Sequence, residues 1–121
     1  MMPISAPAEA IAYQMAVIIL YHDLHDTPVT AGISAQRQAT RWFQRGVPLP
    51  VVETALLLGS LRRLQRPPEM PPLPGIRSLA YFQPVVEELL EAPVPDRYRA
   101  YLQLKMQPYL RAPAGVRPST P

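Results

Sequence analysis

Seventeen prolines in 121 residues restrict this chain more than any other feature. Proline has no backbone donor and a fixed φ, so it halts a helix beyond its first turn and is kept out of central strands. The prolines are unevenly spread. They gather at Pro48 and Pro50, from Pro67 to Pro74, at Pro93 and Pro95, and from Pro108 onward. Between these clusters lie stretches whose apolar residues recur at helical spacing. The pattern predicts an all-α fold, a small bundle of four or five helices with proline-rich connections. Such a length supports one core. We expect a single helical domain over residues 1–111 and a flexible tail over 112–121, whose composition is that of a terminus.

A first helix is predicted from a Ser5 cap, with Pro7 in its first turn, to about Leu24. Ile11, Met15, Ile18 and Ile19 supply its helical spacing, and Thr27-Pro28 ends it. A second is predicted from Ser34 to Arg45, where Gly46 reads as its stop. Pro48 and Pro50 stiffen the short link to a third helix, expected from Pro50 or Val51 to Leu64 or Gln65. Its middle, ALLLGSL, is apolar almost all round, which marks the central helix of a bundle. PPEMPPLPG, from Pro67 to Gly75, is an extended connection. Leu79, Phe82, Val85, Val86, Leu89 and Leu90 then give strong helical periodicity, interrupted at Pro84. Either the fourth helix starts near Gln83 or it is kinked there. A fifth, capped by Asp96, is expected from Arg97 to about Leu110, with Pro108 disturbing its end.

Several function classes lack their residues. The chain has no cysteine, hence no disulfide, thiolate metal site or cysteine nucleophile. YHDLHD, from Tyr21 to Asp26, puts His22, His25 and Asp26 within reach of one another on a helix, but two histidines near a helix end also serve the helix dipole. No phosphate-binding glycine loop, nucleophile elbow or nucleotide fingerprint is present. No catalytic residue, metal ligand, cofactor or small-molecule substrate is therefore assigned. The apolar run Ile11–Tyr21 is about half a membrane span. With no basic region before it, it does not read as a signal peptide. The expectation is a cytoplasmic, non-membrane protein.

The charge pattern carries the positive signal. The net charge is only +3, but it is polarised. From Arg37 to Arg66 six arginines stand against one acid, Glu53, while Glu87, Glu88, Glu91 and Asp96 make an acidic stretch beyond. Arg37, Arg41 and Arg45 recur every four residues and so share a helix face. Arg62, Arg63 and Arg66 cluster at the end of the next helix. Guanidinium forks suit phosphates, which position a protein on DNA without reading sequence. Trp42, beside the row, is a candidate for stacking on bases or for the core. The layout is loosely that of a helix-turn-helix. The first turn of the third helix, however, offers Val51, Val52, Glu53 and Thr54, with no Asn, Gln or Arg to read base edges. A solvated face, or an arginine face meeting a neighbour's acidic stretch, is the plainer alternative. Tyr98, Tyr101 and Tyr109 among Arg97, Arg99, Lys105 and Arg111 suit an interface or a packed final helix.

Part of the chain resembles a known family. A helix ending Trp42-Phe43-Gln44-Arg45-Gly46, the pair Val51-Val52 with Ala55 a turn later, and the segment Ile76-Arg77-Ser78-Leu79-Ala80-Tyr81-Phe82 leading to Val85-Val86 together resemble the small helical domain of DnaD-like replication proteins of bacteria and phages. They also resemble short replication-associated proteins of mobile elements. The winged-helix domain usual in the family has no counterpart, and the proline-rich stretch is a departure. The resemblance implies a helical module that binds DNA, single-stranded or without sequence preference, and assembles with itself or with a replication partner. The expected function is thus an accessory DNA-binding protein using Arg37, Arg41, Arg45, Arg62, Arg63, Arg66 and Trp42. The alternative is a non-enzymatic interaction adaptor or small oligomerising module.

Overall fold

The computed structural model describes residues 5–28 and 32–110. The side chain of the expected Ser5 cap, Arg111 and the expected tail lie outside the described residues. Five α-helices follow in order: α1 (Ser5–Asp23), α2 (Ile33–Gln44), α3 (Leu49–Leu64), α4 (Gln83–Glu91) and α5 (Asp96–Met106). Short 3₁₀ turns occupy Leu79–Phe82 and Gln107–Tyr109, and no strand occurs among the described residues. The expected all-α bundle is present.

The centre is α3. Every residue from Thr54 to Leu61 is buried, because α1, α4, α5 and the Leu79–Phe82 turn all pack on it. A helix without a polar face is stable only when covered on several sides. Its start follows from proline chemistry: Pro48 takes the extended cap conformation and Pro50 sits in the first turn, where no donor is needed. The Thr54 hydroxyl folds back and donates to the Pro50 carbonyl at 2.7 Å.

Gly46 ends α2 as its position suggested. Its φ of +76° is left-handed, a conformation that costs glycine little. Its N–H donates to the Phe43 carbonyl and the Val47 N–H to the Trp42 carbonyl, each at 3.0 Å. This crossed pair is a Schellman closure. The start of α2 departs from expectation: the helix begins at Ile33, and Gly32 occupies the cap without a side-chain hydrogen bond. Pro84 causes no kink. The 3₁₀ turn, whose Ala80 N–H is capped by the Ser78 hydroxyl at 3.1 Å, delivers the chain to α4, and Pro84 falls in that helix's first turn. At the other end Asp96 lies inside the first turn of α5 and Pro95 is its cap.

Gly59 marks a close approach. A Cβ there lies 2.9 Å and 3.0 Å from Cδ1 and Cε1 of Phe82, a ring that is itself fully buried. Alanine gains roughly 1 kcal/mol of helix propensity over glycine, but crowding in a packed core costs about 1–3 kcal/mol. Gly59→Ala is therefore expected to lower stability by up to about 2 kcal/mol, read from the midpoint of urea unfolding.

On α1 the sequence spacing pointed outward. Tyr13, Val17 and Tyr21 are buried, as is Leu24 just past the helix end, and the Tyr13 hydroxyl donates to the Val47 carbonyl at 2.7 Å. Ile11, Met15 and Ile19 lie on the opposite, exposed side.

The proline-rich connection is a strap held at three points. The Ile76 N–H donates to the Asp26 carbonyl at 2.8 Å. Arg63 donates to the Pro74 carbonyl at 2.9 Å, and Arg66 to the Pro71 carbonyl at 3.3 Å.

Candidate nucleic-acid interface

The arginines of the sequence differ in their partners. Cross-helix pairing sorts them. Arg45 forks onto Glu87 of α4 at 2.8 Å and 3.4 Å, and Arg62 onto Glu88 at 2.9 Å and 2.7 Å. Each guanidinium holds its glutamate below the usual carboxylate range, through hydrogen bonding first and charge attraction second. The acidic stretch therefore meets arginines of its own chain. Both pairs are about half exposed, so water screens them and their contribution to stability is small.

Arg63 has a structural role. Its side chain is only 5% exposed. It donates to the Asp26 carboxylate at 3.1 Å, to the Pro74 carbonyl at 2.9 Å and to the Tyr81 hydroxyl at 3.3 Å. The same guanidinium lies 5.4 Å from the centre of the Tyr81 ring, within cation–π range. With Arg66 it fastens the strap to the end of α3.

Trp42 is a core residue. It is fully buried, and its indole N–H donates to the Gln83 side-chain oxygen at 2.6 Å. Its ring has no face to offer a base, which corrects the expectation that it stacks on nucleic acid. The physical reason is its position on α2, on the same face as Ala35 and Ala39, against the Leu79–Phe82 turn.

Arg37 and Arg41 remain. Both are exposed, and neither forms an ion pair among the described residues. They line two adjoining grooves. One, of about 320 Å³, lies along the α1–α2 junction and is lined also by Gln14, Ile33, Gln36, Thr40 and Gln44. The other, of about 240 Å³, is lined also by Ser34, Gln38, Ser78 and Ala80. No acid occurs in sequence between Asp26 and Glu53, and the two grooves are lined otherwise by amides and hydroxyls with Ile33 and Ala80. Arg77, also exposed, adjoins Ser78 at the second groove.

No protein family, curated protein or solved structure matches the chain.

A reading helix is not available in α3. Val52 and Thr54 at its start are buried, and Glu53 approaches Arg99 at 4.0 Å. The YHDLHD segment is used within the fold. His25 Nδ1 lies 3.2 Å from the Ser60 hydroxyl, and the Thr27 hydroxyl is shared between the carbonyls of Tyr21 and Leu24. Among the described residues no three metal-ligating side chains converge, and no helix is long and apolar enough to cross a membrane. On α5, Tyr98 and Tyr101 stack on one another with ring centres 6.0 Å apart.

Two residues of the site region escaped sequence reasoning. Gln83 bridges α2 and α4 by accepting from Trp42 and donating to Glu87. Nothing in its sequence context marks it. Arg77, outside the Arg37–Arg66 run, is exposed beside Ser78.

Proposed function

We propose that the protein is an accessory nucleic-acid-binding module, without catalysis, that holds phosphates through Arg37 and Arg41 of α2. One observation carries this reading: two exposed arginines, one helical turn apart, stand on a segment free of acidic residues and line grooves that hold mostly amide and hydroxyl side chains beside Ile33 and Ala80. Guanidinium forks with nearby amide and hydroxyl donors suit phosphate oxygens. The buried start of α3 argues for contact without base readout. A place in replication fits the resemblance to DnaD-like helical domains.

The test is fluorescence anisotropy with labelled single- and double-stranded oligonucleotides at low salt. Arg37→Gln/Arg41→Gln is expected to weaken binding about tenfold or more, each phosphate contact being lost with its released counterion. Arg62→Gln, on the Glu88-paired side, is expected to leave affinity nearly unchanged. Equal losses in both variants contradict the choice of α2.

A second reading, an oligomerising interaction module, is favoured by a separate observation: the apolar face that α1 turns to solvent.

A further inference from the structure

Helix α1 lacks the polar face of a surface helix. The twelve residues from Ala10 to Tyr21 include no charged side chain. Its inner side is filled by Tyr13, Val17 and Tyr21, yet Ile11, Met15 and Ile19 are 55%, 55% and 58% exposed on the outer side. Helices that are apolar all round are normally covered all round. The uncovered stripe continues across the α1–α2 groove, which Gln14 shares with Ile33, itself 65% exposed.

We infer that this face binds a second copy of the chain, with the two α1 helices antiparallel about a two-fold axis at Met15. Three features select that occupant. The stripe is self-complementary. A two-fold at Met15 sets Ile11 against Ile19 of the second copy and the small Ala12 against Ile18, as an isologous contact requires. Next, the α1 part of the stripe, from Ala10 to Tyr21, has no charge to attract or orient an unlike partner, and none to repel its own image. Antiparallel pairing also opposes the helix dipoles. Finally, the area fits. The exposed parts of these side chains amount to roughly 400–500 Å² per copy, so a pair buries roughly 800–1,000 Å², the low end of specific interfaces. An interface of that size is expected to be weak and to form only as concentration rises. The stripe on α1 carries none of the arginines, although Ile33 at its edge shares a groove with Arg37 and Arg41, and the dimer presents two α2 ridges in one particle.

Sedimentation velocity of the full chain, from low micromolar to several hundred micromolar, tests the inference. The wild-type protein is expected to pass from monomer to dimer across that range. Met15→Glu places two carboxylates on the axis and is expected to remain monomeric with its helical circular dichroism and melting temperature unchanged. Because the chain has no cysteine, an introduced thiol reports a single distance. Met15→Cys is expected to yield a covalent dimer on mild oxidation. Ile11→Cys is not, because two antiparallel copies place those thiols about 12 Å apart along the axis, beyond disulfide reach. A wild-type protein that stays monomeric throughout overturns the inference while leaving the nucleic-acid reading intact. Undiminished association of Met15→Glu also overturns it. So does cross-linking of Ile11→Cys as efficient as that of Met15→Cys, which indicates a parallel or different contact.

Discussion

Trp42→Ala is expected to cost about 3–5 kcal/mol, the usual range for removing a large aromatic side chain from a core. Domains of this size have roughly 5–15 kcal/mol in total, so the variant is expected to be partly unfolded near physiological temperature. The site offers little room for relaxation, since the ring is fully buried. The substitution also strips Gln83 of its strongest donor, because the remaining contact from Gln38 is 3.4 Å long. Trp42→Phe separates the two effects. It restores most of the apolar volume but not the indole N–H, and is expected to cost about 1–2 kcal/mol, since the part-buried Gln83 oxygen keeps only the long contact from Gln38. Urea unfolding followed by far-ultraviolet circular dichroism measures both. The chain's single tryptophan gives a matching fluorescence signal in the wild-type protein.

Arg63→Ala is the second large effect, at about 2–4 kcal/mol. The loss has three parts. The Pro74 carbonyl loses its donor, the Asp26 carboxylate loses its cation, and Tyr81 loses the guanidinium over its ring. Two features limit it. Asp26 is about half exposed and rehydrates, and the Arg63 Nε is buried without a hydrogen-bond partner, a penalty the alanine removes. The effect is expected to be local first. The Ile76 amide, bonded to the Asp26 carbonyl, should exchange its hydrogen faster, and the strap between residues 67 and 75 should become a site of limited proteolysis. An unchanged cleavage pattern contradicts the role of Arg63 as its fastener.

Much of the fold was legible because it rests on local rules. Gly46 needed only a left-handed helix stop, and Pro84 only a first turn in which to sit. The centrality of α3 followed from a run with no polar face. The orientation of α1 was not legible for the same reason. Where both faces are apolar, periodicity has no contrast, and the larger tyrosines rather than the isoleucine row went inward. The candidate site was only partly legible. Arginine spacing on α2 was readable as a shared face, but the partners of Arg45 and Arg62 lie 42 and 26 residues away. Which guanidinium stays open to solvent is decided by how α4 docks, and no window of sequence contains that. Trp42 likewise depends on Gln83, which is 41 residues distant.

The measurement that tests the central claim most directly is the salt dependence of oligonucleotide binding by the wild-type chain and Arg37→Gln/Arg41→Gln. The account predicts that log affinity for the wild type falls linearly with log salt, with a slope near −2 for duplex DNA, about 0.9 for each of two phosphates. The double variant should bind more weakly and with a slope close to zero. A wild-type chain that does not bind even at low salt, or a double variant that keeps the wild-type slope, contradicts phosphate contact through α2.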